Sequence, residues 1–330
     1  LPSPLKRTFG ALYGLGGALR NAGYDARVLP VRRVRGAAVI SVGNLRAGGS
    51  GKSPLALHLA GRLVELGHRP ALLLRGYRGR MEHRGGAVSD GAGPLVGADL
   101  AGDEAVVAAR RLDGAIVRVG ADRVASARAA VDDGADAIVL DDGFQHRRIG
   151  RDLDLLLVAP EDLDPATARL PLGPLREPAD SADRADLLVG LERDWQGRDD
   201  APDVLIRYAP IGLVDRWWAF EPLDFRRGAR VQLLAGVARP ERFTETAKDA
   251  GFEVVGTSWF RDHHGFDERD IERVEGQARR AGAELMLTTE KDLARLEQLQ
   301  TSLPLRALRI DVRVVRGERL LDRFLKSALR

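Results

Sequence analysis

A short apolar run, a glycine-rich turn and a helical pattern, in that order, constrain this chain more than any other feature. Residues 37–43 read AAVISVG, the pattern of a buried strand. NLRAGGSGKS follows at 44–53, and from Pro54 to Leu66 apolar residues recur at helical spacing. Such a unit aims backbone N–H groups and a helix N-terminus at whatever anion sits in the turn. Gly48, Gly49, Ser50 and Gly51 would let the backbone come close to phosphate oxygens. Lys52 would reach the β- and γ-phosphates of a nucleotide, and Ser53 would ligate Mg²⁺. The usual spacing, G-x-x-x-x-G-K-[ST], wants a glycine five residues before Gly51, where this chain has Arg46. The phosphate-loop reading therefore needs support from elsewhere in the chain.

The rest of the pattern supplies that support. PALLL (70–74), AIVRVG (115–120), ADAIVLDD (135–142), DLDLLLVA (152–159) and ADLLVG (185–190) read as buried strands, with helical patterns at 103–112 and 123–133. Strands alternating with helices predict a parallel sheet covered on both faces. Residues 80–100 carry many Gly and polar residues and predict loop or a β excursion. WQGRDDAPD breaks the rhythm as a linker, and VLIRYAPIGLV with RWWAFEPL predicts a two-stranded piece. From VQLLAG at 231 the alternation restarts, predicting a second, smaller α/β domain. The expected division is an N-terminal segment at 1–27, a phosphate-loop domain at 28–200, a two-stranded hinge at 201–228 and a C-terminal α/β domain at 229–330.

Composition removes several function classes. There is no cysteine, so disulfides and thiolate metal sites are excluded. The net charge of +3 is too small and too diffuse for a nucleic-acid surface. Only five of 51 cationic residues are Lys, which gives weight to Lys52 inside the motif. No run approaches the roughly 20 apolar residues that span a bilayer. TFGALYGLGGAL at 8–19 is nearly uncharged and flanked by Lys6, Arg7, Arg20 and Arg27. That pattern fits a helix packed on its own domain, a helix lying in a membrane interface, or a signal peptide. The chain opens on Leu1, so a start Met is expected ahead of it.

A phosphate loop needs a second acidic group for its metal at the end of a neighbouring strand. Asp141 and Asp142 follow AIVL and supply it. Asp103 and Glu104 open a helix, where they could be a cap and a dipole partner, or place a carboxylate to take a proton from an acceptor hydroxyl. His146 falls at the ligand-binding edge of the sheet, and His263 and His264 fall in a strand-to-helix loop of the second α/β region.

SVGNLRAGGSGKSP, LLRGYRGR, AGDEAVVAARR, VLDDGFQHRR, LPLGPLREP, GVARPERF, FRDHHGF and TTEKDLARL run in this order from about residue 40 to 295. Together they resemble the tetraacyldisaccharide 4'-kinase family, the lipid A 4'-kinases of Gram-negative bacteria. Arg46 and Ala47 in the loop, and Leu172 before LREP, are mild departures from that pattern. The resemblance implies a P-loop kinase-like parallel sheet with helices on both faces, a second smaller α/β domain and an N-terminal amphipathic helix. It implies transfer of the γ-phosphate of ATP, with Mg²⁺, to the 4'-hydroxyl of a tetraacyldisaccharide 1-phosphate, giving lipid IVA at the cytoplasmic face of the inner membrane. It favours the membrane-interface reading of residues 1–27, and a monomer is expected.

Carried over residue by residue, the resemblance implies that Lys52 and Ser53 hold phosphate and metal. Asp141, Asp142 and Glu177 of LREP form the acidic metal group. Asp103 is the general base and His263 its partner. Arg75, Tyr77, Arg123, Gln145 and His146 are expected to face the lipid substrate, and Arg123 or Arg176 to add charge at the transferring phosphate. The rival reading is a phosphate-loop switch ATPase of the partitioning or nitrogenase-iron-protein type. Those loops carry Gly and a signature Lys where this chain has Arg46 and Ala47, which counts against it.

Overall fold

The computed structural model describes residues 4–48 and 51–330, with side chains from residue 14 onward. Helix α1 (Pro4–Asp25) leads into β1 (Ala38–Gly43), and α2 (Lys52–Glu65) follows the glycine-rich turn. Then come β2 (Pro70–Leu74), β3 (Gly86–Ser89), α3 (Ala98–Ala101), α4 (Asp103–Arg111), β4 (Ile116–Val119) and α5 (Arg123–Asp132). Next are β5 (Ala137–Asp141), β6 (Leu153–Val158), β7 (Leu187–Leu191), β8 (Val204–Val214) and β9 (Phe220–Pro222). The chain ends with β10 (Arg230–Ala235), α6 (Pro240–Asp249), β11 (Glu253–Trp259), α7 (Glu268–Ala281), β12 (Leu285–Thr289), α8 (Glu290–Leu296), β13 (Leu305–Arg316) and α9 (Glu318–Ala328).

Among the described residues the thirteen strands form one sheet, ordered β11-β10-β12-β13-β8-β7-β6-β1-β5-β2-β4-β3, with β9 on β8. β8, β7, β6, β1, β5, β2 and β4 pair in parallel, as do β11, β10, β12 and β13. The reason lies in the sequence. β2, β5 and β6 are buried at every position, so both faces must be covered, and helical crossovers do that. Val39, Leu73 and Ile138 pack under α5, while Ile40, Leu72 and Val139 pack under α2 and α4.

The two parallel blocks meet at an antiparallel seam between β8 and β13. Both strands are long, and the blocks hold opposite ends of the ribbon they make. Val204–Ile206 of β8 pair with β7, whereas Leu305–Leu308 of β13 pair with β12. In between, Tyr208 and Ala209 pair only with Val312 and Asp311. The stretch expected to form a two-stranded piece thus supplies β8, whose partner along its length is β13, while β9 pairs over three residues. This offset brings the loop after β11 against the loop after β2. Arg78 Nη1 donates to the Asp262 carbonyl at 3.3 Å.

The half of α1 that carries described side chains docks through polar groups. Asn21 Nδ2 donates to Glu177 at 2.8 Å, and Arg147 reaches the Asn21 carbonyl at 3.1 Å and Asp25 at 2.6 Å. Leu15 and Leu19 on the same helix remain 57% and 65% exposed. No helix among the described residues is long and apolar enough to cross a membrane.

Candidate active site

The glycine-rich turn is held by what surrounds it. Gly51 precedes α2 at φ 94°, a conformation that suits glycine. Its carbonyl accepts a hydrogen bond from the Tyr208 hydroxyl at 2.7 Å, and a Cβ at Gly51 would stand 2.3 Å from that hydroxyl oxygen. Tyr208 belongs to the β8–β13 ribbon, so the ribbon braces the turn directly. Gly43 admits Phe144, whose Cβ would lie 2.4 Å from an added Cβ. Arg46 points away from the turn. Its guanidinium pairs with Asp162 at 2.7 Å and Glu161 at 3.5 Å, and Arg46 bridges to Leu175. Arginine at the first glycine position is therefore a tie to the loop at 160–175. Gly49 and Ser50, expected among the nucleotide contacts, lie outside the described residues; Gly48 is described, at φ 97°.

Lys52, the first residue of α2, is buried and stands 3.3 Å from Asp142 Oδ1. Arg176 takes the same carboxylate at 3.0 and 2.9 Å, and its Nη1 also meets Gln145 Oε1 at 3.2 Å. Burial works against the Asp142 charge, but Lys52 and Arg176 more than offset it and hold the carboxyl below its usual range. Asp141 has the opposite balance. Burial first, then the nearby Glu104 charge, push it up to about 6, against a hydrogen bond from Ser53. Its Oδ1 is buried with no hydrogen-bond partner among the described residues. A buried carboxylate with an idle oxygen fits a divalent cation held jointly with phosphates. Mg²⁺ characteristically takes one or two carboxylates plus substrate oxygens. Among the described residues no three His, Cys, Asp or Glu cluster as a protein-only metal cage.

Glu177, expected in the acidic metal group, is buried, and its Oε1 has no hydrogen-bond partner among the described residues, while cations and an amide gather around the carboxylate. Arg184 reaches it at 2.7 Å, Arg20 at 3.8 Å and Asn21 at 2.8 Å. A buried glutamate needs cations around it, and here they come from α1 and the loop before β7. The two arginines left open by the sequence also separate. Arg123 is buried, and its guanidinium donates to the Leu74 carbonyl at 2.9 Å, to that of Gly120 and to that of Asp141 at 3.5 Å. It ties together the ends of β2, β4 and β5. Arg176 is the arginine that sits on Asp142 beside Lys52.

His146, Arg123, Asp122 and Arg148 line a cleft of about 290 Å³ at this edge. Burial, then the Arg123 charge, push His146 down to about 4, although Asp142 pulls the other way. The imidazole is therefore neutral near pH 7 and can bind as a polar group but not as a cation. Gln145 Nε2 donates to the Asn44 carbonyl at 2.9 Å. Arg75 is exposed and pairs with Glu82 at 2.6 Å. Tyr77 is exposed, and its ring stands edge-on to His263 with centroids 6.0 Å apart.

The second centre lies where the two blocks touch. Asp103 opens α4 and is 6% exposed. His263 Nδ1 meets its Oδ2 at 2.9 Å. Arg295, in the last turn of α8, donates to Oδ1 through Nε at 2.7 Å and to Oδ2 through Nη2. Next along, Lys291 pairs with Glu104 at 2.5 Å. Glu290 accepts from Arg309 at 2.8 Å and from Arg111 at 3.4 Å. So the GDE and TEKD segments, far apart in the chain, interlock as acid–base pairs. His264 makes a different contact, 2.6 Å to Asp270, and so His263 is the member of the pair that faces Asp103. Two residues of this region, Arg295 and Tyr208, are absent from the set the sequence points to. Arg295 lies inside TTEKDLARL, and its spacing from Lys291 by one helical turn is the available signal. Tyr208 has none.

A sequence profile for tetraacyldisaccharide-1-P 4'-kinase matches residues 3–330. The tetraacyldisaccharide 4'-kinase of Anaeromyxobacter sp. (strain Fw109-5) is 43% identical over 335 residues, covering 96% of this chain and 89% of its own. That of Syntrophus aciditrophicus (strain SB) is 39% identical, covering 94% and 89%. Among solved structures, the "apo" form of LpxK from Aquifex aeolicus in complex with ATP superposes with a TM-score of 0.82 at 30% identity, covering 98% of each chain.

Proposed function

Since this chain belongs to the tetraacyldisaccharide-1-P 4'-kinase family, and is thus an ATP-dependent 4'-kinase of lipid A biosynthesis, we propose how its own residues divide that reaction. The γ-phosphate passes from ATP to the 4'-hydroxyl of a tetraacyldisaccharide 1-phosphate. Lys52 and the amides of the turn hold the β- and γ-phosphates. Ser53, Asp141 and Asp142 would hold Mg²⁺, which would supply positive charge to the phosphate oxygens. Arg176, positioned on Asp142, adds charge at the transferring group. Asp103, with His263, accepts the proton of the sugar hydroxyl late in a loose transition state.

The single observation that carries this division is the pairing of Asp103 with His263, because it joins a carboxylate of one block directly to an imidazole of the other. Purified protein with Mg-ATP and the tetraacyl acceptor should add one phosphate to the lipid, read by mass. ATP hydrolysis without any phosphorylated lipid would instead favour a switch ATPase.

The acceptor is a lipid, and we assign its docking to α1 at the cytoplasmic face of the inner membrane. Leu15 and Leu19 are exposed on a helix whose other groups bind Glu177 and Arg147. Residues 8–13 of the apolar segment carry no described side chains. Leu15→Ser with Leu19→Ser should lower partitioning to anionic vesicles several-fold, in proportion to lost apolar burial. These changes test the membrane contact more cleanly than removal of residues 1–27, which would also strip Glu177 of Asn21 and Arg20. Unchanged partitioning would leave α1 a packing element.

A further inference from the structure

We propose that Arg295 is a positioning residue for phosphoryl transfer, holding Asp103 and His263 in their reacting geometry from the opposite block of the sheet. The proposal rests on the reading of those two residues as the proton-accepting pair.

One guanidinium makes three kinds of contact here. Nε and Nη2 grip the two carboxylate oxygens of Asp103 as a fork. Nη1 donates to the His264 carbonyl at 3.0 Å, which ties down the loop carrying His263. Nη2 also lies 2.7 Å from His263 Nδ1. The fork fixes the plane of the carboxylate, which a point charge cannot do. With that plane fixed, Oδ2 is aimed at His263 Nδ1.

His263 needs such support. Its backbone sits at φ 62°, which a residue with a side chain adopts only when its surroundings hold it there. Its ties include its own N–H to the Gly236 carbonyl at 3.2 Å, the Arg78 contact to Asp262 and the Arg295 contact to His264. α8 is itself anchored, since Thr289 caps it through the Asp292 N–H and Asp292 Oδ2 accepts from the Gly236 N–H at 3.2 Å. Arg295 therefore projects from a fixed helix.

A plain latch between the blocks is the competing account. Other latches are present, however. Lys291 holds Glu104, Arg110 holds Glu297 at 3.3 Å, and Trp218 Nε1 donates to Glu297 at 2.9 Å. Loss of Arg295 leaves these in place, so its effect should fall on turnover rather than on assembly of the fold.

The test is a double-mutant cycle with Arg295→Ala, Asp103→Ala and the pair, plus Arg295→Lys, read as kcat, KM for both substrates, ATP affinity and melting temperature. Arg295→Ala should lower kcat about a hundredfold, the scale of a misplaced catalytic group, with KM values nearly unchanged. Arg295→Lys should recover part of the loss by keeping the charge without the fork. Because Arg295 acts through Asp103, adding Arg295→Ala to Asp103→Ala should cost almost nothing more. Additive losses would overturn the positioning role, as would a rise in KM for ATP alone, or a lowered melting temperature with wild-type kcat per folded molecule. Wild-type kcat in Asp103→Ala alone would instead overturn the underlying reading of the pair, and this proposal with it.

Discussion

Lys52→Met should lower kcat about a thousandfold, roughly 4 kcal/mol of transition-state stabilisation, while the protein folds normally. Lys52 heads α2, is 8% exposed and faces Asp142 at 3.3 Å. Its charge is thus fixed at a helix N-terminus, where the backbone dipole already favours an anion. In a loose transition state the γ-phosphoryl oxygens gain charge near that ammonium, and a positioned cation is worth most when water is excluded. Methionine keeps the length of the stem and its packing and removes only the charge. Asp142 retains Arg176, so the substitution leaves no buried carboxylate without a cation. The check is steady-state lipid phosphorylation by mass, with a melting curve beside it. A kcat within tenfold of the parent would show that Arg176 and metal alone neutralise the phosphate, and Lys52 would lose its assigned role.

The sheet was legible in the sequence because a parallel sheet writes itself as apolar runs. PALLL, AIVL and LDLLLV are buried end to end, and every one of them lies in a strand. The seam was not legible. β8 and β13 are only partly buried in their middles, and nothing local in VLIRYAPIGLV specifies a partner so far along the chain. The same divide runs through the site. Glycines before GKS, and aspartates after a strand, announce chemistry through residue type and spacing. Glu177 is announced by its type within LREP, but the Arg184 and α1 groups around it are not, because such contacts depend on how distant loops fold back. Arg46 reads as a lost glycine because the spacing rule describes the turn alone. The residues that explain it, Glu161 and Asp162, lie well beyond the turn, Asp162 at a separation of 116 residues.

Asp103→Ala should abolish turnover to below about one thousandth of the parent while ATP affinity stays within a few-fold, because general-base catalysis contributes on the order of a hundredfold to ten-thousandfold. Asp103 stands at the N-terminus of α4, on the first block, and its contacts are His263 and Arg295 of the other. None of its described contacts is to Lys52, Ser53 or the glycine-rich turn. Removing the carboxylate therefore leaves Lys52, Asp141 and Asp142, proposed to hold the phosphates and their metal, in place, and ATP should still bind. On the proposed division, what is lost is the acceptor for the sugar's proton and the charge beside the His263 ring. His263→Ala should act in the same direction with a smaller loss, since Asp103 would keep Arg295. The measurements are ATP binding by calorimetry and lipid phosphorylation by mass on the same preparations. If Asp103→Ala lost ATP affinity in proportion to its turnover, the carboxylate would belong to nucleotide binding rather than to proton transfer. If instead His263→Ala were the more damaging change, the imidazole would be the group that takes the proton, with Asp103 and Arg295 orienting it.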